Sequence, residues 1–200
     1  MRQTRTNTLQ RGLTLIELLV TMAIAAILLT IAVPSFIDFI TSSTASGYAN
    51  DLLADLNLAR SEAIARGVRV TLCHSNDKAS CSGTWSDGWI VFANTNTAGT
   101  QNTVDAGDQV LRVHAAVNAV SGWALNANSN FANFVAFQPD GRSNLKGTFV
   151  FCRGGVLHVG NQTRSAAVTV YTTGWARLLP YNANGVPVDD HGNALTTCTP

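Results

Sequence analysis

The chain has 200 residues, enough for one domain with a sizeable core, because 46% of its residues are hydrophobic. Only 12% of the residues are charged, about half the usual share, and this excludes a disordered, strongly solvated chain. The formal net charge is +1. This excludes a uniformly basic nucleic-acid-binding protein but not a local basic patch.

The first forty residues carry the strongest pattern. Residues 1–12 are polar and basic and contain no acid; their arginines are Arg2, Arg5 and Arg11. An apolar run follows from Leu13 to Val33, and as a helix it is about 30 Å long, the thickness of a bilayer's hydrocarbon core. No convincing Ala-x-Ala cleavage site follows it before Pro34, so we expect the run to be retained as a membrane anchor. The basic residues before it predict a cytoplasmic N-terminal end and an exported remainder.

Glu17 is the only charged residue in the apolar run. A carboxylate deep in a bilayer costs about 2.5–3.5 kcal/mol on insertion scales, so such a residue usually has a partner. If the chain is cut after Gly12, the new amine of Leu13 is a cation four residues before Glu17. Glu17 then neutralises that amine in its own chain or in a neighbour packed alongside. The alternative is a glutamate that merely lies near the lipid headgroups.

Residues Gly12 to Val20 resemble the signal sequence of type IV prepilins and type II secretion pseudopilins. Members of this family have a glycine, a cleaved bond, a hydrophobic residue, three further residues and a glutamate. They commonly carry phenylalanine where this chain has Leu13, and Pro34 matches their helix-kinking proline. The resemblance implies that a prepilin peptidase cuts between Gly12 and Leu13 and methylates the new amine. It also implies assembly with other major and minor pilins through the N-terminal helices.

Beyond Pro34, which we expect to kink the helix, the pattern is amphipathic. An apolar stripe recurs at spacings of four and three: Tyr48, Leu52, Leu56, Ala59 and Ala63. Most charged residues lie off that stripe, among them Asp51 and Asp55, and Gly67 is a plausible helix end. We therefore predict one long helix over residues 14–66 whose second half packs on a sheet. A partner-docking face is the alternative for this stripe.

From residue 68 the apolar period changes to two, which predicts strands. The predicted strands cover residues 68–73, 89–93, 110–113, 134–137, 148–152, 166–171 and 175–178. Segments 94–108, 118–133 and 179–200 are rich in Asn, Gly and Thr and are predicted to be loops. A helix followed by strands makes an α+β domain with an antiparallel sheet.

The four cysteines of an exported chain predict two disulfides, for which three pairings exist. We favour Cys73–Cys81, a short clip after the first strand, and Cys152–Cys198, which fastens the tail. Zinc is the rival interpretation, but Cys73 and Cys81 lack the usual metal-ligand spacing. We predict neither a metal nor another cofactor.

The later motifs resemble the GspH/FimT branch of minor pilins and pseudopilins. They are Cys73 to Cys81, Trp85, Asp87 to Phe92, Phe137 to Arg142, and Gly147 to Cys152. The resemblance implies the type IV pilin fold and three parts: a leader (1–12), a membrane and assembly helix (13–40) and a periplasmic head (41–200). It also implies a chain that spans the inner membrane once before assembly and then enters a surface fibre.

No catalytic motif occurs in the sequence, so we predict a structural protein and not an enzyme. Asp189, Asp190 and His191 lie in a turn-rich tail and are interpreted as surface residues. The branch implies a minor pilin of the priming complex that ends at the fibre tip. A pseudopilin of type II secretion is an alternative.

A second alternative is a minor pilin that binds double-stranded DNA for uptake. Related proteins use a basic Gly-Arg-x-Arg motif, and Gly174 to Arg177 matches it except that Trp175 replaces the first arginine. Segment 141–188 contains no acid, and its cations contact phosphates if they share a face. The candidate residues are Arg142, Lys146, Arg153, Arg164 and Arg177, with Trp175 able to stack on a base. The alternative is scattered surface charge.

Overall fold

The structure is a computed structural model that describes residues 12, 14–95, 103–117, 119–160 and 162–200. Its contacts divide the chain into a unit that ends at Phe39 and a second unit, Ile40–Pro200. We call the described residues 14–39 the anchor and residues 40–200 the head. Of the predicted leader, Gly12 alone belongs to the described residues.

A single helix, α1 (Leu15–Arg66), begins in the anchor and ends in the head. The predicted helix over residues 14–66 is therefore confirmed. It ends where predicted because Gly67 adopts a positive φ of 66°, a conformation that favours glycine after a helix. The Gly67 backbone N–H still donates to the Ala63 carbonyl oxygen, 3.0 Å away.

The head portion of α1 buries one stripe of side chains. The apolar members are Ala45, Ala49, Leu52, Leu56, Ala59 and Ala63. Their spacing of four and three residues keeps them on one face. Tyr48, predicted as part of the stripe, is only partly buried; its ring packs on those of Phe151 and Trp123 with centroids 5.7 and 5.6 Å away.

Two four-stranded antiparallel sheets face this helix. The first contains β1 (Arg69–His74), β2 (Trp89–Asn94), β3 (Gln109–His114) and β5 (Phe134–Phe137) in the order β3-β2-β1-β5. The second contains β4 (Trp123–Ala127), β6 (Gly147–Arg153), β9 (Ser165–Val170) and β10 (Ala176–Leu178) in the order β10-β9-β6-β4. Between β6 and β9 lies a small hairpin, β7 (His158–Val159) and β8 (Gln162–Thr163).

The main core forms where the helix stripe meets the inner faces of both sheets. Phe149 and Phe151 of β6, Val168 and Val170 of β9 and Trp89 of β2 are all buried in it. Alternate residues of β6 point the other way, as strand geometry requires. Val150 and Cys152 thereby enter a second buried cluster on the outer face of the second sheet.

The C-terminal segment, residues 179–200, covers that outer face. Leu179, Val186 and Cys198 are buried there against Val150 and Ala167. The structure contains both disulfides that the sequence favours, Cys73–Cys81 and Cys152–Cys198. All four cysteines are therefore oxidised, and no thiolate is left to hold a metal.

The α+β prediction and the predicted strands are confirmed, with strand ends that differ by a residue or two. The loop predicted over residues 118–133 is wrong in part because β4 lies inside it. Trp123 and Leu125 alternate inward, and the strand pairs with β6 along its length. The asparagines within and beside this short strand give its segment the composition of a loop, so the sequence did not predict it.

Candidate functional site

The anchor exposes its apolar side chains all round. Every described residue from Thr14 to Phe36 is exposed, including Leu19, Ile24 and Leu28. Helix α1 is long and apolar enough, by length and composition, to cross a membrane. An apolar helix with no polar face suits a hydrocarbon environment or a bundle of similar helices.

Glu17 lies in the first turn of α1 and is exposed. Its backbone N–H donates to the Thr14 hydroxyl oxygen, 3.3 Å away. Among the residues that the structure describes, no cation forms an ion pair with its carboxylate. The predicted partner, the amine of Leu13, lies outside the described residues, so the cleavage after Gly12 and the charge pairing stay predictions.

Pro34 lies inside α1, and the helix is assigned without a break from Leu15 to Arg66. Proline removes one backbone donor and crowds the preceding turn. The kink at Pro34 stays a prediction.

Four of the five candidate basic residues divide into two groups at opposite ends of β6. Arg153 ends that strand, and its backbone N–H donates to the Arg164 carbonyl oxygen, 2.9 Å away. Lys146 precedes the other end, and Arg177 pairs with Thr169 of β9 near it. Because a strand rises about 3.4 Å per residue, the seven residues of β6 separate the groups by roughly 20 Å. The residues predicted for DNA therefore do not form one patch.

Arg153 holds internal contacts in the head. Its guanidinium donates from Nη1 to the Thr41 hydroxyl oxygen at 2.7 Å and from Nε to the Ser121 carbonyl oxygen at 3.1 Å. These bonds join β6 to helix α1 and to the loop before β4. Arg153 therefore has a packing role that the sequence did not indicate.

At the other end of β6, Lys146, Tyr171 and Arg177 surround Asp190. Arg177 Nη2 lies 2.5 Å from Asp190 Oδ1, and Lys146 Nζ lies 3.1 Å from Asp190 Oδ2. The Tyr171 hydroxyl also donates to Asp190 Oδ1. We call these four residues the Asp190 cluster. Asp190 was predicted to be a surface residue, and nothing in its local sequence indicates these distant partners.

The charges and hydrogen bonds of the Asp190 cluster support one another. The hydrogen bond from Tyr171, followed by those from Lys146 and Arg177, lowers the pKa of Asp190 to about 2. Desolvation, and then the hydrogen bond to Asp190, raises the pKa of Tyr171. The cluster therefore holds an ionised carboxylate over the whole physiological pH range.

Trp175 is 59% exposed beside this cluster. Its ring stacks on Tyr171 with a centroid distance of 6.3 Å. The turn that carries Trp175 is fixed by close backbone contact, because a Cβ atom at Gly174 would lie 1.8 Å from the Gly141 carbonyl oxygen. That same oxygen accepts a hydrogen bond from Arg60 Nε at 3.0 Å. The Phe137 to Arg142 motif thus joins helix α1 to the turn before β10.

Asp55 is a buried carboxylate that the sequence analysis placed off the helix stripe, and that placement was wrong. It accepts the Trp89 indole N–H at 2.8 Å and lies 3.2 Å from Arg112 Nε. The His114 ring stacks on Trp89 with a centroid distance of 3.8 Å. Asp55 lies three residues after Leu52, so helical spacing alone could have placed it on the buried face.

The chain matches two family models. The model described as "Type II transport protein GspH" matches residues 48–174, which is more than half of the chain. The model described as "Prokaryotic N-terminal methylation motif" matches residues 7–33, which include Gly12 and Glu17. The chain therefore belongs to the GspH family. No curated protein matches it in sequence.

The fold is similar to crystal structures of the type IV minor pilin FimU of Pseudomonas aeruginosa strain PAO1. One crystal form gives a TM-score of 0.55 at 18% sequence identity and covers 80% of this chain and 98% of that chain. Another form gives 0.51 at 19% identity, with 76% and 98% covered. The predicted type IV pilin fold is thereby confirmed. Family and fold make the chain a minor pilin or pseudopilin, a class of structural components.

Proposed function

We propose that this chain is a minor pilin that takes part in type IV pilus assembly, in the priming complex that ends at the fibre tip. The observation that carries the proposal is the exposed apolar run of the anchor up to Val33, whose one carboxylate, Glu17, has no ion-pair partner among the described residues. A helix of this kind needs both a hydrocarbon environment and a cation from another group.

In this proposal the prepilin peptidase cuts after Gly12, and the amine of Leu13 becomes the cation that Glu17 requires. While the chain is in the inner membrane, with its head in the periplasm, lipid surrounds the anchor. In the fibre, the anchors of other pilins replace the lipid. The charge pair between Glu17 and a neighbour's amine fixes the axial register, because an unpaired carboxylate between apolar helices is costly.

Family and fold support the minor-pilin role, and the priming and tip position is what the resemblance to the GspH/FimT branch implies. The fold is similar to that of the type IV minor pilin FimU, and the family match covers most of the head. A priming subunit is needed in only a few copies per fibre. Its loss should therefore lower the number of fibres and leave the composition of those that form largely unchanged.

The experiment compares Glu17→Gln with Glu62→Gln in cells that lack the native chain. The sequence contains no other glutamate, and Glu62 is paired with Arg66 in the head. We expect the Glu17→Gln chain to insert in the inner membrane and to be missing from sheared pili. The Glu62→Gln chain is expected to enter pili as the unaltered chain does. Equal recovery of both variants in pili contradicts the charge pairing.

Processing and position are tested separately. Gly12→Phe should leave the longer, unprocessed chain in the inner membrane, and normal shortening of this variant contradicts the assigned cleavage. Antibody labelling of isolated pili should mark ends and not sides. Uniform labelling along the fibre rejects the tip position.

Type II secretion is the second candidate function, favoured by the match to the family model "Type II transport protein GspH". The apolar anchor and the charge pair of Glu17 serve a pilus and a pseudopilus equally well. A deletion strain separates them, because loss of pili with normal export of secreted enzymes supports the pilus, and the reverse supports the pseudopilus.

The DNA-uptake hypothesis rests on Trp175 and Arg177. Trp175 is exposed and available for stacking. Arg177, however, is already paired with Asp190. DNA binding by this chain stays a prediction, and the Asp190 cluster determines how it should be tested.

A further inference from the structure

The Asp190 cluster has the composition of an oxyanion-binding site. Lys146 and Arg177 supply two positive charges, and the Tyr171 hydroxyl supplies a neutral donor. Guanidinium, ammonium and phenol groups directed at one point are the donors that bind carboxylates and phosphates in proteins. The anion at that point is the chain's own Asp190 carboxylate.

The donors are held in place by contacts of their own. Arg177 Nε donates to the Tyr171 hydroxyl oxygen at 3.0 Å, and Lys146 Nζ lies 5.1 Å from the Tyr171 ring centroid. Arg177 belongs to β10, and Tyr171 directly follows β9. The three donors are thus positioned mainly by the second sheet and not by Asp190 alone, so the cation pair remains if the carboxylate is removed.

Asp190 comes from a different part of the chain. It belongs to the C-terminal segment, sixteen residues beyond the end of the region that matches the GspH family model. The segment is held to the second sheet by the Cys152–Cys198 disulfide and by buried Leu179 and Val186. Its Asp189 turn is closed by two hydrogen bonds: the Asp189 backbone N–H donates to the Asn193 carbonyl oxygen, and the Asn193 backbone N–H donates to Asp189 Oδ1. The carboxylate therefore has a high local concentration at the site.

We propose that Asp190 is a built-in competitor that fills a phosphate-binding site formed by Lys146, Tyr171 and Arg177. With Asp190 in place, the two cations and one carboxylate leave a single net positive charge. Without it, two adjacent cations face solvent beside the exposed Trp175 ring. The site then suits a phosphate group whose attached base or sugar packs on Trp175. This inference does not depend on the role in pilus assembly.

Displacement of Asp190 by an external phosphate is unfavourable in the unaltered chain. The tethered carboxylate competes within the same molecule, and its charge repels an incoming anion. The pKa of Asp190, lowered to about 2, prevents protonation from opening the site at any pH that a cell meets. The C-terminal segment therefore keeps the head from binding polyanions, whichever surface fibre contains it.

The test uses the full chain in nonionic detergent micelles with its disulfides formed. Two probes are titrated at low and at moderate salt: inorganic pyrophosphate and a fluorescently labelled DNA duplex. The variants are Asp190→Asn and Asp190→Ser, which remove the competing charge in two ways. Asp189→Asn is the matched control, because it removes an equal charge one residue away, from a carboxylate bonded within its own turn.

We expect both Asp190 variants to bind pyrophosphate at least about tenfold more tightly than the unaltered chain, since one hydrogen bond to a charged group has that value or more. Asp189→Asn should stay close to the unaltered chain. Adding Arg177→Gln to Asp190→Asn should abolish the gain. Melting temperatures show whether each variant is folded. If one of the two substitutions at residue 190 prevents folding, the other still tests the proposal.

The outcomes are distinguishable. No gain in either Asp190 variant, an equal gain in Asp189→Asn, or a gain that survives Arg177→Gln overturns the proposal. Trp175→Ala in the Asp190→Asn background identifies the source of the phosphate. A loss of DNA binding with pyrophosphate binding unchanged indicates a nucleic acid, whereas unchanged binding of both probes indicates a site for free phosphate.

Discussion

The two parts of helix α1 follow the same backbone geometry but present opposite surfaces. In the anchor, apolar side chains cover every face and all of them are exposed up to Phe36. In the head, one stripe is buried and the remaining faces are largely polar. The contrast teaches that the distribution of apolar residues around a helix, and not their number, specifies its surroundings.

The two parts of α1 also differ in the size of their apolar residues. The buried stripe has small residues at its ends, Ala45, Ala49, Ala59 and Ala63, with Leu52 and Leu56 between them. Small residues let a helix approach a sheet closely, and the two leucines fill the centre of the core. The anchor is instead rich in leucine and isoleucine, which give a broad apolar surface for lipid and for other helices.

The largest expected effect is on the free energy of unfolding, and it is tested by replacing one leucine in each part of α1. Leu56→Ala should lower the free energy of unfolding of the head by about 2–5 kcal/mol, because it leaves a cavity between helix and sheets. Leu28→Ala in the anchor should leave that free energy unchanged. Urea unfolding of the full chain in detergent, followed by tryptophan fluorescence, measures both.

Equal losses in the two variants contradict the division of α1 into two surfaces. Leu52 gives an independent check, because it too is completely buried. Leu52→Ala should resemble Leu56→Ala and not Leu28→Ala.

A lysine introduced into each part of α1 tests whether that part tolerates a charge. Ile27→Lys should impair membrane insertion by about 2.5–3.5 kcal/mol, the cost of a lysine at a helix centre. Ser61→Lys, on an exposed face of the head helix, should insert and fold normally. Fractionation of cells into membrane and soluble material measures insertion, and an unaffected Ile27→Lys chain argues against the anchor.

A smaller effect on stability is expected from two aspartates of the head helix, Asp55 and Asp51. Asp55→Ala should cost about 1–3 kcal/mol of unfolding free energy, because it leaves the buried Trp89 N–H without an acceptor. Asp51 is 61% exposed and lies 3.7 Å from His114. Asp51→Ala should change stability by less than about 0.5 kcal/mol. Similar losses would mean that burial does not distinguish the two carboxylates.

The sequence predicted the features that depend on local periodicity. The all-apolar run from Leu13, the stripe through Leu52 and Leu56, and the alternation in β6 are each readable without partners. Strand β4 was not predicted, because Trp123 and Leu125 are its only buried residues and its stability comes from pairing with β6.

Polar contacts across the fold were the least predictable part. Asp190 pairs with Lys146, forty-four residues earlier, and with Arg177, thirteen residues earlier. No periodic pattern encodes such distances. A count of cations in segment 141–188 therefore overstated the free positive charge, because an acid just beyond that segment neutralises part of it.

The smallest effect is a pH dependence at Asp55. Burial raises the pKa of this carboxyl above its ordinary value of 3.8, and the hydrogen bond from Trp89 and the charge of Arg112 oppose the shift only in part. The folded head thus binds this proton more tightly than the unfolded chain does. The stability contributed by this group is fully present below pH 3.8 and is lost as the pH rises through the folded pKa.

The variant Asp55→Asn isolates this contribution, because the asparagine oxygen still accepts the Trp89 N–H but does not titrate. We expect the unfolding free energy of the unaltered chain, minus that of Asp55→Asn, to fall as the pH rises from below 3.8. Other carboxyls with lowered pKa values, such as Asp190, cancel in this difference. A difference for Asp55→Asn that rises with pH would show that the ion pair with Arg112 outweighs burial, and that the interior of the head accommodates charge better than its apolar stripe implies.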